Sequence, residues 1–305
     1  KENNTVKQVM EAVEKVSTEY VVLCSSDYEL CEDYEKKVSH YILIQKKAGR
    51  NLKYIYSDSD TINDNGKREN PDCKPDYSWN TLLSFNYIGN VFAVKRQFFH
   101  RMNEFVDNFG SDSKFDSYKT SLFLLSDNSA ENVGHIHQIL AHKKADYKEE
   151  SDISEYKCLL PELKNKNVCV VTDKHNKNVQ HIHYPLSEND CVSIIIPSKD
   201  NPEILKVCFE SIKKYTKYTK YEIVVIDNGS NEDNRNEYKK LIAEFGENAS
   251  YTYERFDFNF SKMCNIGSKK ATGNMLLFLN DDIEIIGQDY EDTDWLSVLA
   301  GQAKQ

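Results

Sequence analysis

The stretch from Val192 to Glu284 constrains the fold more than any other part of the chain. It opens with an apolar run, Val-Ser-Ile-Ile-Ile (192–196), that stops at Pro197, Ser198, Lys199 and Asp200. A second run, Tyr-Glu-Ile-Val-Val-Ile (221–226), leads into Asp227, Asn228, Gly229 and Ser230. A third, Met275 to Leu279, runs into Asn280, Asp281 and Asp282. Between the first two, Leu205, Cys208, Phe209 and Ile212 recur at helical spacing after Pro202. Tyr238, Leu241, Ile242 and Phe245 mark a second helix, Tyr251 to Glu254 a short strand, and residues 261–270 a third helix. Strands separated by helices of this length require crossover connections, which predicts an α/β fold with a mostly parallel sheet. Each strand ends in polar or acidic residues. In an open α/β sheet that carboxyl edge is where ligands bind. A carboxylate cluster there, with no basic partner next to it in sequence, suggests a metal carrying a phosphorylated ligand.

The first 145 residues read differently. A helix over 4–16 leads to a strand, Glu19 to Cys24, that ends in Ser25, Ser26 and Asp27. A helix over 34–47 follows. Lys53 to Tyr56 then predicts a short strand ending in Ser-Asp-Ser-Asp (57–60), and Asn63 to Gly66 a turn. Asn90 to Val94 reads as a further strand. The charged stretch 143–157 is the linker candidate, and 158–190 a small connecting element. The expected division is 1–145, 146–190 and 191–305. Glu19 to Asp27 echoes Asn274 to Asp282: a helix precedes an apolar strand that ends in an Asp.

A chain of 305 residues is expected to hold about two domains. The net charge of −10 argues against a general nucleic-acid binder. The longest apolar runs are strand length, so no transmembrane segment is expected. The 8 cysteines form no Cys-x-x-Cys pair and no secretory signal is visible, which predicts reduced thiols and a cytoplasmic location. His-Ile-His occurs at 135–137 and at 181–183. Alternation places both histidines of a triplet on one strand face, which suits a metal. No third ligand lies nearby in sequence, so half-exposed strand histidines are the simpler expectation.

Four motifs in order, Val-Ser-Ile-Ile-Ile-Pro-Ser-Lys-Asp (192–200), Val-Val-Ile-Asp-Asn-Gly-Ser (224–230), Phe-Asn-Phe-Ser-x-x-x-Asn-x-Gly (258–267) and Leu-Phe-Leu-Asn-Asp-Asp (277–282), resemble family 2 glycosyltransferases of the GT-A fold. The likeness is to the bacterial tandem-domain type that builds surface polysaccharides. It implies that 191–305 is the nucleotide-sugar half of one GT-A domain. Tyr-Ser-Asp-Ser-Asp (56–60), Lys-Pro-Asp-Tyr-Ser (74–78), Asn-Tyr-Ile-Gly (86–89) and His-Ile-His-Gln-Ile-Leu (135–140) resemble the later portion of another. The chain is thus expected to be a fragment cut through two GT-A units. The first has a degraded metal motif, Ser25-Ser26-Asp27 standing where the family has Asp-x-Asp.

The resemblance implies inverting transfer from a UDP- or dTDP-sugar to a glycan or lipid-linked acceptor, with manganese or magnesium as cofactor. It implies that Asp282 holds the metal, with Asp281 assisting through ribose or water. Asp227 would accept the imide N–H of uracil or a related base, and Pro197 and Ser198 would wall the base and ribose. Asp200 would bond the ribose or cap the following helix. Asn259, Ser261 and Asn265 would meet phosphate or sugar hydroxyls, with Ser261 as a plain N-cap the alternative. The family's catalytic carboxylate falls where this chain has Lys114, so Asp112 and Asp116 are the substitutes in the first unit; the second unit's base is expected beyond residue 305. Peripheral attachment at the inner face of the membrane is also implied. Incomplete domains would expose apolar faces, to be covered by mutual packing or a homodimer. The competing readings are a non-catalytic sugar-nucleotide or glycan-binding module, and a nucleotidyltransferase. The latter lacks a Gly-rich phosphate loop after the first strand, and a Rossmann dehydrogenase is excluded because Gly-x-Gly-x-x-Gly is absent.

Overall fold

The computed structural model describes residues 4–126, 130–144, 168–287 and 294–305. The chain divides into two compact units, 1–182 and 183–305. The boundary falls within the expected connecting element, 158–190. Most of the expected linker, 145–157, lies outside the described residues. Among the described residues no helix is long and apolar enough to cross a membrane.

Unit 1 begins with α1 (Val6–Glu14), whose Thr5 and Gln8 form a reciprocal capping box. It continues through β1 (Tyr20–Cys24), β2 (Tyr28–Leu30), α2 (Tyr34–Lys47), β3 (Tyr54–Ile62) and β4 (Arg68–Asp72). Then come α3 (Trp79–Ser84), β5 (Val91–Lys95), α4 (Arg96–Phe99), α5 (Met102–Phe109), α6 (Ser117–Leu125) and β6 (Val133–Lys144). A separate hairpin, β7 (Cys169–Thr172) with β8 (Gln180–His183), occupies the expected connecting region. The sheet runs β1-β5-β3-β6-β2, with β4 beside β3. Here the layer departs from the expected parallel arrangement: β3 and β6 are its parallel pair, and the other pairings are antiparallel. The strand expected to stop at Tyr56 instead carries Ser57, Asp58, Ser59 and Asp60 through the buried interior. Asp58 meets His135, while Asp60 meets His142 and Arg68, so both buried carboxylates are paired.

Unit 2 follows the predicted alternation. It comprises β9 (Val192–Ser198), α7 (Pro202–Tyr215), β10 (Tyr221–Asn228), α8 (Glu232–Phe245), β11 (Ala249–Glu254), α9 (Phe260–Lys270), β12 (Met275–Phe278) and α10 (Trp295–Ala303). All neighbours in its sheet, ordered β11-β10-β9-β12, are parallel. One face packs Ile194, Ile196, Ile223 and Val225 against Leu205, Phe209, Ile212 and Leu296. The other packs Ile195, Val224 and Ile226 against Met263 of α9. Gly267 of α9 permits this approach, since a Cβ there would stand 2.3 Å from Ile195 Cγ2. Beyond α9 the same face is open: Leu276 and Phe278 of β12 are exposed, as are Phe258 and Phe260.

Candidate functional site

The three strands that were expected to converge do so. Asp227 pairs in register with Ser198, and β12 reaches Phe278 opposite Ile195 before Leu279 N–H closes onto the Ile195 carbonyl at 3.0 Å. Leu279 to Asp282 therefore leaves the sheet beside the end of β9. Ser198 is the junction. Its hydroxyl donates to Asp281 Oδ2 at 2.6 Å and lies 2.7 Å from the Tyr238 hydroxyl of α8. Tyr238 in turn accepts the Asn201 N–H at 2.9 Å. With Tyr238 donating to Ser198, the hydroxyl protons all point toward the Asp281 carboxylate. Burial pushes the Tyr238 phenol up, against the pull of its bonds to Ser198 and Asn201, so it stays a donor. Asp282, next in the chain, is exposed. Cys208 of α7 senses the pair: burial, then the charges of Asp281 and Asp282, push its thiol up to about 12. Pro197 is buried within β9, where it shapes the strand end.

Asp227 stands where predicted but faces inward. It is 0% exposed. One oxygen accepts the Ser230 N–H at 3.0 Å and the Ser230 hydroxyl at 2.6 Å; the other accepts the Tyr251 hydroxyl of β11. Its carboxylate is thus buried and already accepts three bonds inside the fold. Its neighbour Asn228 is different. Asn228 is also buried, and its Oδ1 accepts the Phe256 N–H at 3.3 Å, yet its Nδ2 has no hydrogen-bond partner. Buried polar atoms are almost always paired, so an unmet donor at a strand end is informative. Arg235 Nε of α8 is likewise unpaired, and its guanidinium lies 4.7 Å from the centre of the Tyr253 ring. Asn228, Tyr238 and Arg235 were missed by sequence reasoning; only the Asn-Gly turn after the strand hinted at the first.

Asp200 adopts φ 53°. It neither caps α7 nor stands free: its carboxylate accepts the Asn231 N–H at 2.9 Å and the Asn234 amide at 2.9 Å. These two bonds, the Asn234 amide first, hold its carboxyl below the usual range. Its own N–H donates to Ser230 Oγ at 2.8 Å, which ties the loop after β9 to the loop after β10. Asn259 is the N-cap of α9, accepting the Lys262 N–H at 2.9 Å. That corrects the alternative of a Ser261 cap. Ser261 and Asn265 are exposed on α9, and no hydrogen bond joins them to Asp281 or Asp282.

In unit 1, Ser25 and Asp27 bond each other across the turn between β1 and β2, rather than ending a parallel strand. Asp116 is the N-cap of α6, accepting the Lys119 N–H at 2.8 Å, and Asp112 is exposed. Among the described residues, the one group of three or more side chains able to hold a cation together is Asp76, His135 and His137. Asp281 and Asp282 form no such group. With one carboxylate engaged by Ser198 and the other exposed, they offer hard oxygen ligands that fit magnesium or manganese only if phosphate oxygens and water complete the shell.

Residues 193–293 match the model of the Glycosyl transferase family 2. The O-antigen biosynthesis protein RfbC of Myxococcus xanthus is 25% identical over 265 residues, 83% of this chain and 20% of that protein. An uncharacterized protein, y4gI of Sinorhizobium fredii, is 25% identical over 306 residues, 96% of this chain and 32% of that one. The chain therefore spans between a fifth and a third of the length of these curated relatives. A mannosyltransferase from Pyrobaculum calidifontis, solved with GDP-Man and Mn2+, superimposes over 39% of this chain and 34% of its own, at 18% identity and a TM-score of 0.32.

Proposed function

We propose that the chain serves glycosyl transfer and that unit 2 binds the nucleotide-activated sugar at the carboxyl edge of its parallel sheet; the match of residues 193–293 to the Glycosyl transferase family 2 model supports this. The Tyr238–Ser198–Asp281 relay carries this reading, because it holds one carboxylate at the strand ends and leaves Asp282 exposed beside it. A diphosphate would lie along this pair. A divalent ion bound there would supply Lewis-acid stabilisation of the departing diphosphate. Asp282 would be its protein ligand, and Asp281, already held by Ser198, would orient water or ribose.

Base and ribose would lie over Pro197 and the end of β10. The unmet Asn228 amide is suited to donate to a base carbonyl, which uracil, thymine and guanine all present. Asp227 supports that contact from below by fixing the Gly229–Ser230 turn. On α9, Asn259 is engaged as a cap, which leaves Ser261 and Asn265 as the exposed groups for sugar hydroxyls. Inverting transfer needs a base for the acceptor hydroxyl. We assign none in unit 1, where Asp116 is a cap, and read that unit as non-catalytic. The likeness to an O-antigen biosynthesis protein supports a surface glycan as the product.

Titration calorimetry with UDP-, dTDP- and GDP-sugars, each with and without manganese, tests the reading. At least one donor should bind, and more tightly with the metal. A panel in which nothing binds, or in which manganese changes nothing, overturns it.

A further inference from the structure

We propose that unit 1 carries a second, chemically distinct cation site, of the zinc type, formed by Asp76, His135 and His137. It lies outside the donor site and makes no use of it. The parallel pairing of β3 with β6 slips between Ser57 and Asp58: Ser57 faces Ile136, but Asp58 faces Ile139. The bulge pushes residues 137 and 138 out of the ladder and re-aims their side chains. As a result the His135 and His137 rings meet with centroids 4.2 Å apart. The third ligand comes from the segment after β4. Lys74 N–H donates to Asp58 Oδ1 at 2.9 Å, and the Pro75 carbonyl accepts the Tyr56 hydroxyl at 2.7 Å. So anchored, Asp76 places Oδ1 3.1 Å from His135 Nδ1 and 3.1 Å from His137 Nε2.

The protons argue for a cation. Asp58 lies 2.8 Å from His135 Nε2 and already accepts the Lys74 N–H, so Nε2 must be the donor. In a neutral ring that leaves the Nδ1 lone pair facing the Asp76 carboxylate, two electron-rich atoms with nothing between them. Carboxylate, imidazole and metal in a row is the usual outer arrangement of a metal-binding histidine. The ring cannot turn away, being stacked on Tyr56 at 4.7 Å with planes 9° apart. Ligands about 2.0–2.1 Å from a tetrahedral ion stand about 3.3 Å from one another, close to the two carboxylate–nitrogen separations here, and all three ligand atoms lie within 4.8 Å of one another. Two nitrogens and one oxygen suit zinc, whereas magnesium and manganese favour oxygen. The side chains of Asp76 and His137 are 79% and 69% exposed, which gives an ion a way in and leaves a fourth position for water or a group from another molecule. Bound zinc would clip the segment around Asp76 to the edge of the bulge.

The untagged full chain, stripped of metal, should take up one equivalent of Zn2+ in competition with a chromogenic chelator at neutral pH. Co2+ should give the visible absorption of a tetrahedral N/O site, and Mn2+ should not compete. Asp76→Asn and His137→Gln change exposed residues and leave the fold standing, as circular dichroism will check. Each should weaken zinc uptake about tenfold or more and abolish any zinc-dependent rise in melting temperature. If the wild-type chain takes up no zinc, or if both variants bind it as the wild type does, the cluster holds no metal and the proposal fails.

Discussion

At the residue scale, adjacent side chains at the end of β10 do different work. Spacing alone could say that Asp227 ends a buried strand. It could not say which way the carboxylate turns, because that depends on Tyr251 from the neighbouring strand as well as on Ser230. Asp227→Ala would leave the Ser230 N–H and hydroxyl and the Tyr251 hydroxyl without their acceptor in a dry interior. We expect a loss of about 3 kcal/mol or more in denaturant unfolding, since each unsatisfied buried group costs about 1–3 kcal/mol. Asn228→Ala removes an unpaired donor together with one long bond, Oδ1 to the Phe256 N–H at 3.3 Å, so stability should fall by about 1 kcal/mol, less than for Asp227→Ala, while nucleotide binding weakens. Equal losses of stability from the two would contradict the assignment. Asp200 was legible as a polar residue at the strand end, but its grip on Asn231 and Asn234 depends on a loop 31 residues away.

At the element scale, the βαβ alternation of unit 2 was readable because apolar periodicity and strand ends are local signals. The helix predicted over 34–47 matches α2, Tyr34–Lys47. β3 was cut short in the reading because Ser-Asp-Ser-Asp looks like a strand end. It continues because His135, His142 and Arg68 supply hydrogen-bond partners to the two Asp from elsewhere in the chain, which no local pattern records. The entry to β12 shows a similar dependence. Glu222 accepts from the Ser193 hydroxyl at 2.6 Å and the Thr272 N–H at 2.6 Å, and Gly273 fits against this group because it has no side chain. A Cβ at Gly273 would stand 2.5 Å from the Cys191 carbonyl oxygen and 2.7 Å from Ser193 Oγ. Backbone cannot move aside as a flexible side chain can. Gly273→Ala should therefore cost about 1–3 kcal/mol in thermal or denaturant melts and loosen the edge on which Asp281 and Asp282 sit.

At the scale of the whole molecule, each unit carries one of the 2 tryptophans, Trp79 in unit 1 and Trp295 in unit 2. In a Trp79→Phe background, fluorescence reports unit 2 alone. Lys304, at the end of α10, reaches Asp190 at 2.6 Å. That bond, followed by the Ser187 N–H, holds the Asp190 carboxyl well below its usual range. A carboxyl depressed in the folded state stabilises above its unfolded pKa, about 3.9, and loses that contribution as pH falls through the folded value. Lys304→Met should flatten the acid side of the unit 2 stability curve below about pH 4; an unchanged slope would remove this pair from the account. Leu276 and Phe278 of β12 leave an apolar face of unit 2 exposed. In the proposed function a nucleotide sits at the carboxyl edge of unit 2 and is held through Asp282. The most direct measurement is calorimetric titration of UDP with manganese into the wild type, Asp282→Asn and Asp27→Asn. Binding should weaken in Asp282→Asn and stay unchanged in Asp27→Asn. Equal losses from both, or loss from Asp27→Asn alone, would contradict it.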